Sequence, residues 1–336
     1  MDATLLRRRL ELAAQSDNAE ERARRTQIGA VVSALAAASL DIAEMIALGA
    51  LAAPVDGAPA GVRVRAHEIL AEALRGEGVR ALLSTEADET VVLDESGSFA
   101  VEANPLLGSA DLDANMTAGT TFAISEASRE DGALPAGEPL AAGFIVYGFQ
   151  TVLALTLGGG VDIFIHDRRN RCWRLTAPAV RIPDFAQEYA INAANYRHWS
   201  PAIRAFVDDC LNGADSDDGR GFTSRWSGSL VVEAFQILRR GGVLLDPADG
   251  RRGYERGQSR LLCEARPVAY VIEQAGGRAS TGGARILDQR AMSAHTRTPL
   301  IFGSRALVER IERLHSRPES LADVSPLFGK RGLFRA

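Results

Sequence analysis

The feature that most constrains the fold is a dense series of short apolar segments between residues 81 and 175, separated by glycine, proline and acidic residues. Such segments with tight turns between them are typical of strands joined as hairpins. The polar turn 167–170 lies between two of these segments. The pattern predicts an antiparallel sheet. The predicted strands are 81–84, 91–93, 99–103, 116–124, 141–147, 151–157, 161–166 and 172–175.

Helical patterns lie on both sides of this predicted sheet. Apolar residues in 1–52 recur near a period of 3.6 residues, which predicts a helix throughout, and 66–74 repeats the pattern. Beyond residue 186, helical and strand-like segments alternate, among them a helix predicted over 261–275, which favours α/β packing. We therefore expect a helical and antiparallel-sheet domain over residues 1–186 and an α/β domain over 187–336, with helices packed on sheets throughout.

The composition is that of a globular protein. Of 336 residues, 46% are hydrophobic and 24% are charged, so the chain can bury a large core. The net charge of -5 argues against a nucleic-acid-binding protein and favours a small metabolite as the partner. Three widely separated cysteines, with no C-x-x-C spacing, indicate neither a disulfide framework nor a zinc site, which fits a reducing cytoplasm.

No segment of the sequence is predicted to cross a membrane. The apolar stretch 28–51 comes closest to the required length, but Asp41 and Glu44 interrupt it with helical spacing. We therefore expect it to be a helix packed in the protein core.

The segment 104–109, with the sequence Asn-Pro-Leu-Leu-Gly-Ser, follows a predicted strand and begins a turn rich in acidic residues. It resembles the Asp-Pro-Leu-Asp-Gly-Ser segment of class I fructose-1,6-bisphosphatases, in which the two aspartates hold catalytic magnesium ions. Asn104 and Leu107 stand at those two positions here.

Further segments extend the resemblance over most of the chain. They are Leu-Ser-Thr-Glu at 83–86, Tyr-Ala-Ile-Asn at 189–192, Ser-Arg-Trp-Ser-Gly-Ser at 224–229, Arg-Arg-Gly-Gly-Val at 239–243, and the long segment 261–277. On these motifs the chain is identified as a member of the class I fructose-1,6-bisphosphatase family, bacterial type. The resemblance implies a layered α-β-α-β-α sandwich, a homotetramer, and magnesium-dependent hydrolysis of fructose 1,6-bisphosphate to fructose 6-phosphate and phosphate.

The metal-binding positions that the resemblance implies are only partly carboxylates. Two carboxylates remain, and the backbone carbonyl of Leu106 is available as a further ligand whatever its side chain. Magnesium needs several hard oxygen ligands, so replacing carboxylates weakens such a site. The family's five metal-associated positions correspond to Thr85, Glu86, Asn104, Leu107 and Glu264.

The residue at the position of the family's water-activating aspartate is Arg63. A guanidinium stays protonated at neutral pH and cannot act as a general base, so no catalytic residue is secure. Glu86 and Glu264 would repel each other if they were buried without a cation. We therefore expect Arg63 to occupy the space of the lost ions, with Glu86, Asn104, Leu107 and Glu264 converging on one pocket and Glu86 within about 12 Å of Glu264.

The positions that bind sugar phosphate in the family are partly kept. Gly108 and Ser109 could offer backbone N–H groups to a phosphate at the pocket floor. The resemblance implies that Asn192, Tyr196 and Arg225 supply donors to a second phosphate, and that Arg225 reaches the site of a neighbouring subunit.

Two other phosphate-binding positions have changed. Asp246 stands in place of a tyrosine and Gln258 in place of a lysine. An aspartate repels an anion and a glutamine carries no charge, so the affinity for a second phosphate should fall.

Three functions are compatible with these residues. The first is an active fructose-1,6-bisphosphatase in which Asp111 or Asp113 and water molecules replace the missing ligands. The second is a catalytically impaired relative that retains a sugar-phosphate site or acts as a hetero-oligomeric regulatory partner. The third is a phosphatase for another substrate, such as an inositol or sedoheptulose phosphate. The replaced ligands favour the second function on chemical grounds.

Overall fold

The computed structural model describes residues 5–49, 59–128, 130, 134–213 and 221–316. Within these ranges the chain forms helices on both sides of two sheets. The helices are α1 Leu6–Ala13, α2 Ala19–Leu48, α3 Pro59–Leu74, α4 Pro201–Asn212, α5 Leu230–Arg240, α6 Arg266–Gln274 and α7 Arg305–Ser316. Short 3₁₀-helices occur at Ser109–Asp111, Ala193–His198 and Ile286–Asp288, and a π-helical turn at Leu261–Ala265 precedes α6.

The larger sheet contains eight strands in the order β2-β1-β3-β4-β5-β6-β7-β8. They are β1 Val79–Ser84, β2 Val91–Val92, β3 Phe99–Leu107, β4 Ala118–Glu126, β5 Ala141–Tyr147, β6 Thr151–Thr156, β7 Val161–Asp167 and β8 Cys172–Val180. The smaller sheet has the order β10-β9-β11-β15-β13, and β12 pairs with β14 in a separate ribbon. These strands are β9 Glu188–Ala190, β10 Thr223–Ser224, β11 Val243–Asp246, β12 Ser259–Arg260, β13 Arg278–Ser280, β14 Arg297–Thr298 and β15 Leu300–Gly303.

Three apolar cores separate the elements into α-β-α-β-α layers, which confirms the predicted sandwich. The first core lies between α1 to α3 and one face of the larger sheet. The second lies between the other face of that sheet, helices α5 and α6, and the smaller sheet. The third lies between the smaller sheet and helices α4 and α7. Successive residues of β5 point alternately to the first and second cores, as the two-residue period of a strand requires.

The second core contains residues from both predicted halves of the chain, such as Phe144 of β5 and Phe302 of β15. The described structure thus buries apolar side chains of both halves in one core. The domain boundary near residue 186 stays a prediction.

Two predicted elements differ from the structure. The N-terminal helix is interrupted at residues 14–18, between α1 and α2. Asn18 causes this break, because its side-chain oxygen accepts the backbone N–H groups of Glu20 and Glu21 and thereby caps the start of α2. The predicted helix over 261–275 begins instead as a π-helical turn. A wider turn of this kind is frequent at functional sites.

Helix α2 is long and apolar enough to cross a membrane by length and composition alone. It packs in the first core, where Val31, Val32, Leu35 and Ile42 are fully or almost fully buried. The helix therefore has the role in the core that the sequence predicted.

The larger sheet is not wholly antiparallel. Strand β3 pairs with β1 in parallel, because the short strand β2 takes the outer edge and the chain returns on the other side of β1. The C-terminal ends of β1 and β3 therefore lie side by side. Ser84 is opposite Ala103, and Thr85 donates its backbone N–H to the Ala103 carbonyl at 3.3 Å. This pairing brings Glu86 to the same sheet edge as Asn104.

A buried ion pair joins α6 to the larger sheet. Arg266 Nη1 donates to Glu102 Oε2 on β3 at 2.7 Å, and both side chains are almost completely buried. Ser125 on β4 also donates to Glu102, at 2.6 Å. Burial raises the pKa of Glu102, whereas the Arg266 charge and these hydrogen bonds oppose that rise. The pair fixes α6, and with it the preceding π-helical turn, against the sheet.

Candidate active site

The candidate site lies where the ends of β1 and β3 meet the π-helical turn. Cys263 in that turn contacts the strand end, its Sγ lying 3.5 Å from the Leu83 carbonyl oxygen. Thr121 on β4 donates its hydroxyl to the Cys263 carbonyl at 2.6 Å. These contacts place Glu264, the next residue of the turn, beside the sheet edge that carries Glu86 and Asn104.

The side chain of Glu264 is bound by protein donors at both oxygens. Asn104 Nδ2 donates to Oε1 at 2.7 Å, and the backbone N–H of Arg260 donates to Oε2 at 2.8 Å. The other end of the Asn104 amide accepts the backbone N–H of Leu106 at 3.2 Å, which fixes the amide orientation. The Asn104 nitrogen therefore faces the carboxylate at a position where a metal ligand would need an oxygen.

Burial raises the pKa of Glu264. The hydrogen bonds from Arg260 and Asn104, together with the positive charges of Arg260 and Arg297, act in the opposite direction. The protein itself thus supplies the donors and the charge that stabilise this carboxylate when it is ionised.

Glu86 follows the end of β1, with its side chain 12% exposed. Arg63 on α3 places Nε 3.4 Å from Glu86 Oε2, and Thr85 donates its hydroxyl to Glu86 Oε1 at 3.2 Å. The Nε atom of Arg63 is buried and has no hydrogen-bond partner in the described ranges, so the arginine pairs with Glu86 by charge rather than by a directed hydrogen bond. A cation of the protein therefore lies beside Glu86.

These contacts do not fit a magnesium ion. An amide nitrogen, a backbone N–H and a guanidinium face the two carboxylates, whereas magnesium requires several oxygen ligands. Across the residues that the structure describes, no group of three or more His, Cys, Asp or Glu side chains is placed to hold a metal ion.

The other positions around the turn provide no further described carboxylate ligand. Leu107 is partly buried and packs against the second core. Asp113 is exposed, and its Oδ1 accepts the backbone N–H of Ala114. The side chain of Asp111 lies outside the described part of the chain. Gly108 adopts φ 82°, a left-handed conformation that favours glycine, and this turn leads into the buried Ser109.

The residues predicted to bind a second phosphate do not all face one space. Asn192 lines a cavity of about 220 Å³ between β11 and α5, and its Oδ1 accepts the backbone N–H of Ala194. Tyr196 instead donates its hydroxyl to Asp208, at 2.9 Å and 3.1 Å from the two oxygens. Arg225 Nε lies 3.2 Å from Glu188 Oε2, with 46% of the arginine side chain exposed.

Asp246 and Gln258 both line this cavity. Gln258 Nε2 donates to Asp246 Oδ1 at 3.3 Å, and Ser259 donates to Oδ2 at 3.0 Å. Burial raises the pKa of Asp246 to about 6, and the nearby charges of Glu264 and Asp249 add to the rise. The Ser259 hydrogen bond and the Arg251 charge oppose it. Ser259 lines this cavity, and the backbone N–H of the next residue, Arg260, donates to Glu264. The cavity, which we call the acidic cavity, therefore adjoins the site described above.

Sequence reasoning missed several polar residues of the acidic cavity. Glu233 on α5 and Asp249 after β11 add two carboxylates, and Arg251 adds a cation that contacts both oxygens of Asp249. The sequence offered one indication of this pair, the Asp-x-Arg spacing of 249–251, because an arginine two residues after an aspartate can form an ion pair with it within one loop. Glu233 gave no signal, because an acid in the first turn of a helix usually faces solvent.

The raised pKa of Asp246 makes stability depend on pH. The folded protein holds this proton more tightly than the unfolded chain, so the free energy of unfolding falls as pH rises from about 4 through about 6. Asp246→Asn removes this loss. In urea unfolding we measure the free energy of unfolding of the variant minus that of wild type. We expect this difference to be about 2 kcal/mol larger at pH 7.5 than at pH 4. The exposed Asp184→Asn is the control, and equal pH profiles for wild type and Asp246→Asn would contradict the assignment.

Comparisons with known proteins cover both halves of the chain. Residues 25–178 match the family described as "Fructose-1-6-bisphosphatase, N-terminal domain", and residues 182–316 match "Fructose-1-6-bisphosphatase, C-terminal domain". The class 1 fructose-1,6-bisphosphatase of Rhodopseudomonas palustris strain BisB18 is 46% identical over 326 residues, covering 93% of this chain and 94% of the relative. That of Bradyrhizobium diazoefficiens is also 46% identical, covering 92% and 93%.

Solved structures agree with the sequence relatives. The holo form of Leishmania major fructose-1,6-bisphosphatase superposes with a TM-score of 0.82 at 26% identity, covering 94% of this chain and 99% of that one. Its T-state structure gives the same TM-score at 27% identity. With both domain families matched and close bacterial relatives along nearly its whole length, the chain belongs to the class 1 fructose-1,6-bisphosphatase family.

Proposed function

We propose that this chain has lost the family's magnesium-dependent hydrolysis of fructose 1,6-bisphosphate and keeps a sugar-phosphate site without catalysis. The observation that carries the proposal is the pair of hydrogen bonds to Glu264, from Asn104 at 2.7 Å and from the Arg260 N–H at 2.8 Å. Both carboxylate oxygens already have donors where the family would place a cation. A metal ion would have to displace the Asn104 amide, which cannot turn its oxygen without losing the Leu106 N–H.

The second remaining carboxylate is also paired with a protein group. Arg63 supplies a positive charge 3.4 Å from Glu86 Oε2. A cation entering beside Glu86 would meet the like charge of this guanidinium, which opposes binding. We propose on this basis that Glu86 and Glu264 converge on one pocket and that Arg63 occupies the space of the lost ions there.

The family's water-activating position is changed as well. The position aligned with the family's water-activating aspartate is Arg63, which remains protonated at neutral pH. Parts of a catalytic unit do not contribute independently, so removing several of them can remove nearly the whole rate enhancement. We infer that any residual phosphate release does not depend on the two carboxylates.

The sugar-phosphate part of the proposal rests on the turn that is kept. Gly108 and Ser109 match the family's residues at this turn, and Gly108 adopts the left-handed conformation that can direct successive backbone N–H groups towards an anion. We propose a sugar phosphate as the ligand and the cytoplasm as the location, as in an enzyme of sugar metabolism. A subunit that binds ligand without catalysis could regulate an active relative with which it assembles.

A phosphate-release assay on the purified chain tests the loss of activity. With fructose 1,6-bisphosphate and excess magnesium, wild type should release phosphate no faster than its own Glu86→Gln/Glu264→Gln variant, because neither carboxylate supports catalysis. The quadruple variant Arg63→Asp/Thr85→Glu/Asn104→Asp/Leu107→Asp restores the family's acidic set. It should exceed wild type by at least tenfold, about 1.4 kcal/mol of barrier.

The glutamine double variant is the internal control for contaminating phosphatase. If Glu264→Gln alone lowers the wild-type rate severalfold, Glu264 takes part in catalysis. The chain is then an active fructose-1,6-bisphosphatase in which other groups replace the missing ligands. The same assay with inositol and sedoheptulose phosphates covers the alternative substrates.

We propose further that the chain assembles as a homotetramer, with Arg225 near a subunit boundary. Its side chain is 46% exposed and is held by a single ion pair of 3.2 Å to Glu188. Such a contact leaves the guanidinium able to reach a second partner. Light scattering after size exclusion should give four times the mass of the 35.9 kDa chain, and a monomer at high concentration would refute the assembly. Co-purification with an active relative would support a mixed tetramer, and failure to co-purify would weaken that role.

A further inference from the structure

The acidic cavity differs in charge from a site for phosphate. It is lined by three carboxylates, from Glu233, Asp246 and Asp249, and by one cation, Arg251. Arg251 is committed to Asp249, with Nη2 2.6 Å and Nε 2.9 Å from its Oδ2. The charges of this pair largely cancel.

The other two carboxylates form no ion pair within the described residues. Asp246 accepts hydrogen bonds from the neutral side chains of Gln258 and Ser259. Glu233 accepts the backbone N–H and the hydroxyl of Ser227, at 2.5 Å and 2.8 Å. Burial raises the pKa of Glu233. An anion entering the cavity would therefore meet two carboxylates that are held by neutral donors, with Arg251, already paired with Asp249, as the cation that lines the cavity among the described residues.

The cavity also contains neutral groups able to bind hydroxyls. Ser229 is 8% exposed, and its hydroxyl is buried with no hydrogen-bond partner among the described residues. Asn192 and Asn195 line the same space with side-chain amides. An unpaired buried hydroxyl is costly, so a ligand group that both donates and accepts a hydrogen bond would satisfy it. Sugar hydroxyls have this capacity, and a phosphate dianion lacks the donor.

The size and one wall of the cavity fit the same class of ligand. Its volume of about 220 Å³ is suited to a small metabolite. Trp226 lines the cavity, and 51% of the residue is exposed. Aromatic rings provide apolar contact area for the C–H faces of sugars.

We propose that the acidic cavity binds the unphosphorylated, hydroxyl-bearing end of a sugar monophosphate, and that Asp246 and Glu233 exclude a second phosphate. The inference rests on the sugar-phosphate part of the proposed function and names its ligand class. The ligand's phosphate lies at the Gly108–Ser109 turn, and its hydroxyls reach Ser229 and the two asparagines. Asp246 and Glu233 are specificity-determining residues in this arrangement, and neither takes part in a chemical step.

Calorimetric titration of the full chain without magnesium tests the ligand class. Fructose 1-phosphate, which carries no phosphate at the end that enters the cavity, should bind at least about tenfold more tightly than fructose 1,6-bisphosphate. Asp246→Asn should tighten binding of the bisphosphate about tenfold while changing the affinity for fructose 1-phosphate less than about twofold. Asp184→Asn, an exposed acid outside the cavity, should change neither affinity.

Gln258→Lys provides a second test should Asp246→Asn fail to fold, because it places a cation on the same wall and should also favour the bisphosphate. Equal or tighter binding of the bisphosphate by wild type would overturn the proposal, as would the lack of saturable binding of fructose 1-phosphate. Tighter binding of the diamine putrescine than of fructose 1-phosphate would also overturn the proposal, because it would show that the cavity is a cation site. Since the titration contains no magnesium and measures no turnover, its result is separate from that of the phosphate-release assay.

Discussion

The hydrogen bond from Asn104 to Glu264 is the contact on which the interpretation of the site depends. It joins β3 of the larger sheet to the π-helical turn before α6 across 2.7 Å. The bond needs the Asn104 nitrogen on the carboxylate side, and the Leu106 N–H on the amide oxygen fixes that orientation. An aspartate at this position would place two carboxylates against each other and would require a cation between them. The asparagine therefore makes the junction stable without an ion.

The fold positions this contact by means of one parallel strand pair. Because β1 and β3 run in the same direction, their ends present Glu86 and Asn104 at one edge. The buried pair of Glu102 and Arg266 then holds the helix that follows the turn. Removing a partner from such a buried pair is strongly destabilising, so the geometry of the edge is tied to the stability of the core. Under the proposed function, protein cations and donors take the place of an ion within a framework that the family shares.

Periodicity and turn residues are local signals, and they predicted most strands of the larger sheet, whereas the layered sandwich was implied by the family resemblance. The sequence did not predict the parallel pairing of β1 with β3, which depends on the outer position of the two-residue strand β2. The break before α2 was missed as well, although Asn18 is a typical capping residue. The first feature depends on whether a strand takes an edge position or continues a series of hairpins. The second depends on whether a residue caps a new helix or continues the existing one.

The candidate site was predicted unevenly for a similar reason. Alignment with the family's motifs identified Arg63, Glu86 and Glu264. The partners of Asp246 and the role of Glu233 could not be read from the sequence, because they arise from packing between β11, α5 and the ribbon that carries Ser259. Charge in a cavity is a sum over distant segments, whereas a motif describes only one.

The acidic cavity and the occupied carboxylates have a common physical consequence. Arg63 places a positive charge beside Glu86, and Asp246 contributes a carboxylate to the acidic cavity. Under the two proposals, the first position therefore disfavours a divalent cation and the second disfavours an anion. Ligand preference can thus change without a change of fold, since a few side chains reverse the local potential while the layers that hold them are retained.

The most direct test is a titration of the purified chain with Mn²⁺, followed by the electron paramagnetic resonance signal of the free ion. Mn²⁺ takes the oxygen ligands that magnesium uses, and its signal is lost on binding. The account predicts that the wild-type chain leaves the free-ion signal unchanged, because protein donors occupy Glu264 and Arg63 lies beside Glu86. Saturable loss of the signal in wild type, abolished by Glu264→Gln, would contradict it.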